Sequence, residues 1–185
     1  MTKRYGKKML TVMVLGAFLM LGLTSLGLAQ EMQVMKDASK MMSDAWKMFD
    51  DGQRTVIKGM EMNNQIAGQM GFLDLMKPGN QTVGKGRDTV LEGAKLFAQG
   101  EKTVMGASDA GVLKAGIEEL RKGFKIALDG KQMMEQGLAM NNQVAQSKGA
   151  ADKFADGNQI VKTGMGTMAD AIKLFMQGEA LYLGK

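Results

Sequence analysis

The chain has 185 residues, with 24 Lys and Arg against 19 Asp and Glu, and it contains neither cysteine nor histidine. That length suits one domain. The missing residue types exclude disulfides, thiol chemistry and a histidine acting as general base or metal ligand. Four of the basic residues lie within the first eight positions, so the rest of the chain is nearly neutral and lacks the persistent basic face that nucleic-acid binding requires.

Residues 1–29 have the pattern of a secretory signal peptide. The basic start is followed by an apolar run over residues 9–28 and by small residues at Gly27 and Ala29, the positions that a signal peptidase inspects. We expect cleavage after Ala29, which leaves a periplasmic or secreted protein. The alternative is an uncleaved anchor, because an apolar run of about 20 residues just spans a bilayer. Any membrane contact would then be through this leader.

The remainder of the chain repeats itself. The segment GMEMNNQIA over residues 59–67 returns as GLAMNNQVA over residues 137–145, and GNQTV over residues 79–83 returns as GNQIV over residues 157–161. KLFAQGE over residues 95–101 returns as KLFMQGE over residues 173–179, again 78 positions later. A long repeat of this kind is the mark of a duplicated structural unit. It predicts two helical hairpins, residues 30–107 and 108–185, that together form one bundle domain.

Four segments share a period of seven residues. Glycine recurs at one heptad position, a, and apolar residues follow at d and e, which is the stripe of a core-facing, left-handed supercoiled helix. We predict helices over residues 35–66, 79–105, 112–144 and 151–183, with loops at 71–78, 106–111 and 146–149. Short connections favour antiparallel neighbours. The predicted fold is therefore all-α: an elongated, antiparallel, up-down-up-down four-helix bundle about 45 Å long.

The glycines at position a are predicted to be helix-packing residues. Glycine inside a helix costs about 1 kcal/mol relative to alanine, so close approach of a neighbouring helix must compensate. The alternative hypothesis is that these glycines mark loops in a partly disordered chain. The predicted packing set is Gly52, Gly59, Gly86, Gly93, Gly100, Gly123, Gly130, Gly137, Gly164 and Gly178.

Amide side chains cluster where the first and third helices end and the second and fourth begin. In an up-down-up-down bundle these positions converge at one end, where they are candidates for a polar ligand-binding site. The alternative is structural, because Asn terminates helices well and a buried Asn fixes helix register. The candidates are Asn63, Asn64, Gln65, Asn80, Gln81, Asn141, Asn142, Gln143, Asn158 and Gln159.

Methionine is unusually abundant, with 20 in the chain. Thioether sulfur suits Cu(I), so copper is the one cofactor that the sequence suggests. The alternative is that flexible methionines fill irregular gaps beside glycine in the core. The candidate metal ligands lie in the densest stretch and are Met32, Met35, Met41, Met42 and Met48.

Further apolar residues fall outside the a/d/e stripe. One bundle is not expected to bury them all, and exposed apolar patches mark partner surfaces. Self-association, or contact with another envelope protein, is therefore predicted. The residues are Met60, Leu138, Met165 and Ile172 at position b, and Ile57, Leu91, Leu128, Met176 and Leu183 at position f.

No catalytic motif is recognisable in the sequence, and we expect the chain not to be an enzyme. The favoured function is a non-enzymatic interaction or scaffold module of the bacterial envelope. The alternative is a periplasmic binding protein, either for a soft metal such as Cu(I) held by methionine sulfur or for an apolar ligand held between helices against the glycine columns.

Overall fold

The computed structural model describes the backbone of residues 3–184 and the side chains of residues 27–184. Over this part of the chain the structure contains four α-helices, α1 (Lys3–Gln69), α2 (Lys77–Met105), α3 (Ala110–Ser147) and α4 (Ala155–Leu183), and a single-turn 3-10 helix at Leu73–Met76. No strand occurs among these residues. The all-α class is confirmed, and the way the helices pair is compatible with a four-helix bundle.

The predicted start of the first helix, residue 35, is wrong. Helix α1 runs without interruption from Lys3, because nothing in the sequence between the apolar run and the heptads breaks a helix. The side chains of most of the predicted leader, residues 1–29, lie outside the described residues, so its cleavage stays a prediction. Within the described residues, no helix has a stretch both long and apolar enough to cross a membrane.

Helices α1 and α3 end in the same way. Gly71 adopts φ of 76° after α1, and the amide of Phe72 then donates to the carbonyl of Ala67 at 3.0 Å. This is a Schellman termination, which glycine permits because it lacks a Cβ. Gly149, 78 positions later, ends α3 with φ of 63°. The duplicated sequence therefore has duplicated helix ends.

The turns after these ends correct two predicted boundaries. The fourth helix begins at Ala155 rather than residue 151, because the chain first completes the turn that follows Gly149. The predicted loop at residues 71–78 contains the 3-10 helix and the first turn of α2. Pro78 is accommodated in that first turn because the backbone amide there has no helical acceptor.

The helices pack most closely as two antiparallel pairs, α1 with α4 and α2 with α3. Along both pairs, small residues of one helix face small residues of the other. A Cβ added to any of these glycines would lie within 3.0 Å of a carbonyl oxygen of the partner helix. The facing residues are Gly79 and Gly137, Gly86 and Gly130, Gly93 and Gly123, and Gly100 and Gly116 in one pair, and Gly59 and Gly157, Gly52 and Gly164, and Ala38 and Gly178 in the other.

A layer of aromatic rings joins the two pairs to each other. Trp46 of α1 stacks on Phe97 of α2 with ring centroids 4.6 Å apart, and Phe124 of α3 stacks on Phe175 of α4 at 3.8 Å. Phe49 meets Phe124 edge to face at 5.4 Å and so links the two stacks. Each helix thus has two buried faces, one toward its close partner and one toward the other pair.

Because of this second buried face, the residues at position b do not lie outside the core as the heptad pattern predicts. Leu138 is buried, and Met60, Met165 and Ile172 pack against the core. At position f, by contrast, Leu91 and Met176 are exposed. Ile57 and Leu128, also at position f, pack against the core, so the single-stripe description was incomplete at position b and at part of position f.

Candidate functional site

Five of the ten candidate amides come together in a layer that joins all four helices. The Asn63 amide nitrogen donates to the Asn158 side-chain oxygen at 2.9 Å, linking α1 to α4. Asn141 donates to Asn80 at 2.7 Å, linking α3 to α2, and Asn80 in turn donates to Asn64 of α1 at 3.0 Å. We call these five residues the asparagine layer.

The other five candidate amides point away from this layer. Their side chains are exposed, and none joins the hydrogen bonds of the layer. They follow the layer residues along the helices but face solvent. These residues are Gln65, Gln81, Asn142, Gln143 and Gln159.

The oxygens of Asn63 and Asn141 are buried and accept no hydrogen bond from the protein. Each packs directly against a glycine in the first turn of a neighbouring helix, Gly157 of α4 and Gly79 of α2, so a side chain at either glycine would collide with the amide. An amide held against a position that only glycine can fill sets the longitudinal register of two helices. This arrangement favours the structural explanation of the layer.

Apolar clusters lie on both sides of the asparagine layer. The main core occupies one side, and a smaller cluster that includes Phe72, Met76 and Phe154 closes the other. A groove of about 380 Å³ runs beside Asn141 and is lined by Leu75, Pro78 and Met140 among others. The Asn141 oxygen itself is buried away from that groove.

The candidate metal-binding methionines lie on the core side of α1. Met35 and Met42 are buried in the main core, Met32 and Met48 pack against it, and Met41 is half-buried. The stretch from the first to the last covers about 24 Å of helix, so the five sulfurs do not converge on one ion. Anaerobic Cu(I) titration of the chain against a scrambled methionine-rich peptide tests the copper hypothesis directly.

The glycine columns are filled by protein. Each column faces the backbone of its partner helix at contact distance, which leaves no room there for the flat apolar ligand considered from the sequence. Apart from the groove beside Asn141, open space between helices includes two grooves between the pairs, one between α3 and α4 and one between α1 and α2.

The most apolar of these spaces is a groove of about 400 Å³ between α3 and α4, the α3/α4 groove. Arg121 of α3 spans one end: its Nε donates to Glu179 of α4 at 2.7 Å, and its Nη1 donates to both oxygens of Glu118 at 2.9 Å. The Tyr182 hydroxyl also donates to Glu118, at 3.1 Å. The spacing of Glu118 and Arg121 along one helix hints at an ion pair, but nothing local in the sequence points to Glu179 or Tyr182.

Two groups in this cluster titrate away from their ordinary values. Burial raises the pKa of Tyr182, and the hydrogen bond to the Glu118 carboxylate raises it further. Burial by itself would lower the pKa of Arg121, but the carboxylates of Glu179 and Glu118 outweigh that effect and the net direction is upward. The cluster is therefore a fixed ionic bridge with a protonated phenol at neutral pH.

Among residues 27–184, no three carboxylates come together as a metal site would require. Glu119, next to Glu118, accepts a hydrogen bond from Thr103 of α2 at 3.0 Å. Comparison of the chain with protein-family models, curated protein sequences and solved structures finds no match.

Proposed function

We propose that this chain is an exported, non-enzymatic helical-bundle protein that acts as an interaction or scaffold module in the bacterial envelope and associates with itself. In this proposal the two duplicated hairpins form one up-down-up-down domain, and the heptad glycines make it a stiff rod. Export rests on the leader pattern of residues 1–29.

The observation that carries the proposal is apolar surface that remains after both cores have formed. Met105 is 82% exposed, Leu75 is 50% exposed and Leu91 is 47% exposed. Leu91 lies at the centre of α2, in the groove between α1 and α2, and α1 leaves about half of its side chain uncovered. Exposed apolar side chains on an otherwise well-packed protein support a contact with another surface.

Sedimentation velocity of residues 30–185 over a wide concentration range tests self-association. We expect the wild-type chain to form a larger species as concentration rises, and Leu91→Lys to weaken that association. Gln81→Lys, a change at another exposed position of the same helix, is the control and should leave association unaltered. A strict monomer at all concentrations would overturn this part of the proposal.

Export is tested separately by expressing the full chain in a bacterium and sequencing the amino terminus of the product. We expect the periplasmic or secreted product to begin at Gln30. Ala29→Lys places a charged side chain at the predicted cleavage site and should leave the leader attached. Wild-type protein that stays in the cytoplasm with an intact leader would contradict the envelope location.

A further inference from the structure

The α3/α4 groove exists because α3 and α4 belong to different close pairs. Their backbones make almost no close contact, and the stacked rings of Phe124 and Phe175 hold them apart. These rings form the floor of the groove. Leu128, Ile172 and Met176 complete its apolar lining, and Met176 remains 60% exposed.

Unpaired positive charge lies along one rim of this groove. Lys122 and Lys125 of α3 line it and are exposed, and neither forms an ion pair with any residue in the range 27–184. Arg121, the third cation of the lining, is already held by Glu118 and Glu179. The groove therefore combines an apolar floor with two available ammonium groups.

The corresponding space between α1 and α2 is different, which makes it an internal comparison. That groove, of about 540 Å³, is lined by the Asp50 and Arg54 ion pair, by Lys58, Glu61 and Arg87, and by the apolar side chains of Ile57 and Leu91. Its charges are mixed and it has no aromatic floor. Of these two grooves, only the α3/α4 groove has an aromatic floor.

We propose that the α3/α4 groove binds a free medium-chain fatty acid, with the carboxylate between Lys122 and Lys125 and the alkyl chain over Leu128, Ile172 and Met176. The volume of about 400 Å³ falls within the range of small-molecule sites. The rim from Arg121 to Leu128 is about 10 Å long, and the ionic bridge to Glu179 closes one end. That closed, short shape fits a single alkyl chain better than a helix, which would have to pass over the bridge.

Titration calorimetry of residues 30–185 with decanoate below its micelle concentration tests this site. We expect saturable binding of one molecule per chain, with affinity rising about two- to fourfold for each added methylene up to octanoate and levelling off for longer chains, which extend beyond the rim of about 10 Å. Decanol and decyltrimethylammonium share the tail but not the negative head, so both should bind at least about tenfold more weakly. Acetate, which has the head alone, should give no measurable heat.

The double variant Lys122→Gln with Lys125→Gln should weaken decanoate binding about tenfold while leaving the melting temperature unchanged, because both side chains are exposed. Lys153→Gln with Lys162→Gln removes two exposed lysines elsewhere and should leave binding unchanged. Equal binding of decanol and decanoate, or no effect of the first double variant, would overturn the proposal. So would capture of anionic phospholipid vesicles without any saturable binding of free decanoate.

This inference does not depend on self-association. Leu91 lies on α2, outside the α3/α4 groove, so the Leu91→Lys variant should bind decanoate as the wild type does. Failure of one proposal is therefore distinguishable from failure of the other.

Discussion

Replacing Gly86 by alanine is expected to destabilise this protein, although the same replacement in an ordinary helix interior is stabilising. The new Cβ would lie 2.5 Å from the carbonyl oxygen of Gly130 and 2.8 Å from the backbone nitrogen of Met134. Both contacts are with the backbone of α3, which cannot rotate out of the way as a side chain can. Ordinary contact begins at 3.4 Å, so α2 and α3 must separate by about 0.9 Å at this layer.

The expected magnitude follows from two opposing effects. Alanine gains about 1 kcal/mol over glycine in helix propensity. Overpacking costs about 1–3 kcal/mol, and the upper value or slightly more applies here because moving two helices apart also loosens the neighbouring glycine layers. We therefore expect Gly86→Ala to lower the free energy of unfolding by about 2 kcal/mol.

Gly84 provides a matched control in the same helix. A Cβ at Gly84 meets nothing within 4 Å, so Gly84→Ala should raise the free energy of unfolding by about 0.5–1 kcal/mol. The gap of about 3 kcal/mol between the variants corresponds to roughly 6–12 °C in melting temperature for a domain of this size. Thermal and urea unfolding of residues 30–185 measure both values.

Two outcomes would refute this reasoning. If Gly86→Ala stabilised the protein as much as Gly84→Ala, the close backbone contact between α2 and α3 would be wrong. The double variant Gly86→Ala with Gly130→Ala should also cost less than the sum of the single variants, because one separation of the helices relieves both clashes. Strict additivity would mean that the two glycines do not face each other.

Three further changes probe the asparagine layer, the aromatic layer and the ionic bridge. Asn63→Leu should lower the free energy of unfolding by about 1–3 kcal/mol because it removes the donor to Asn158. The double variant Asn63→Leu with Asn158→Leu should recover part of that loss in urea unfolding. If the single variant lost no stability, the hydrogen bonds of the asparagine layer would be wrong. Phe124→Ala should cost about 3–5 kcal/mol, since it deletes a buried ring that stacks at 3.8 Å, and a smaller effect in the same assay would mean that the ring does not separate the pairs. The pKa of Tyr182 is raised in the folded state, so the unfolded chain loses the phenol proton first and stability should fall as pH rises above about 10. In Tyr182→Phe the melting temperature should fall less over this pH range. Identical pH profiles of the variant and the wild type would contradict the hydrogen bond to Glu118.

Much of the local structure follows from particular residues in the sequence. The heptad glycines with apolar residues at d and e predicted four helical segments, and the second and third predicted helices end within about three residues of their observed limits. The predicted starts of the first and fourth helices were wrong. The first helix has no break before residue 35 and continues through residues 3–34. The turn that follows Gly149 delays the start of α4 to Ala155.

The candidate site was likewise predicted in part from the sequence. Residue type and spacing brought out the asparagines, and the structure joins five of the ten amides by hydrogen bonds. The α3/α4 groove had no sequence signal, because its floor and its closing bridge are made by residues about 50 to 60 positions apart that no local period relates. Which of two neighbouring amides faces inward likewise depends on the partner helix.

The sequence alone predicted that this chain forms helices, which the structure confirms, and it further predicted a duplicated hairpin and a seam of small residues along each helix. These properties are local, since a heptad pattern acts within one helix and a repeat is visible by inspection. Only the tertiary structure decided which seams meet. Both hairpins have equivalent seams, and the large rings of Trp46 and Phe124 at position b fit only between pairs, so α1 closes on α4 and α2 closes on α3.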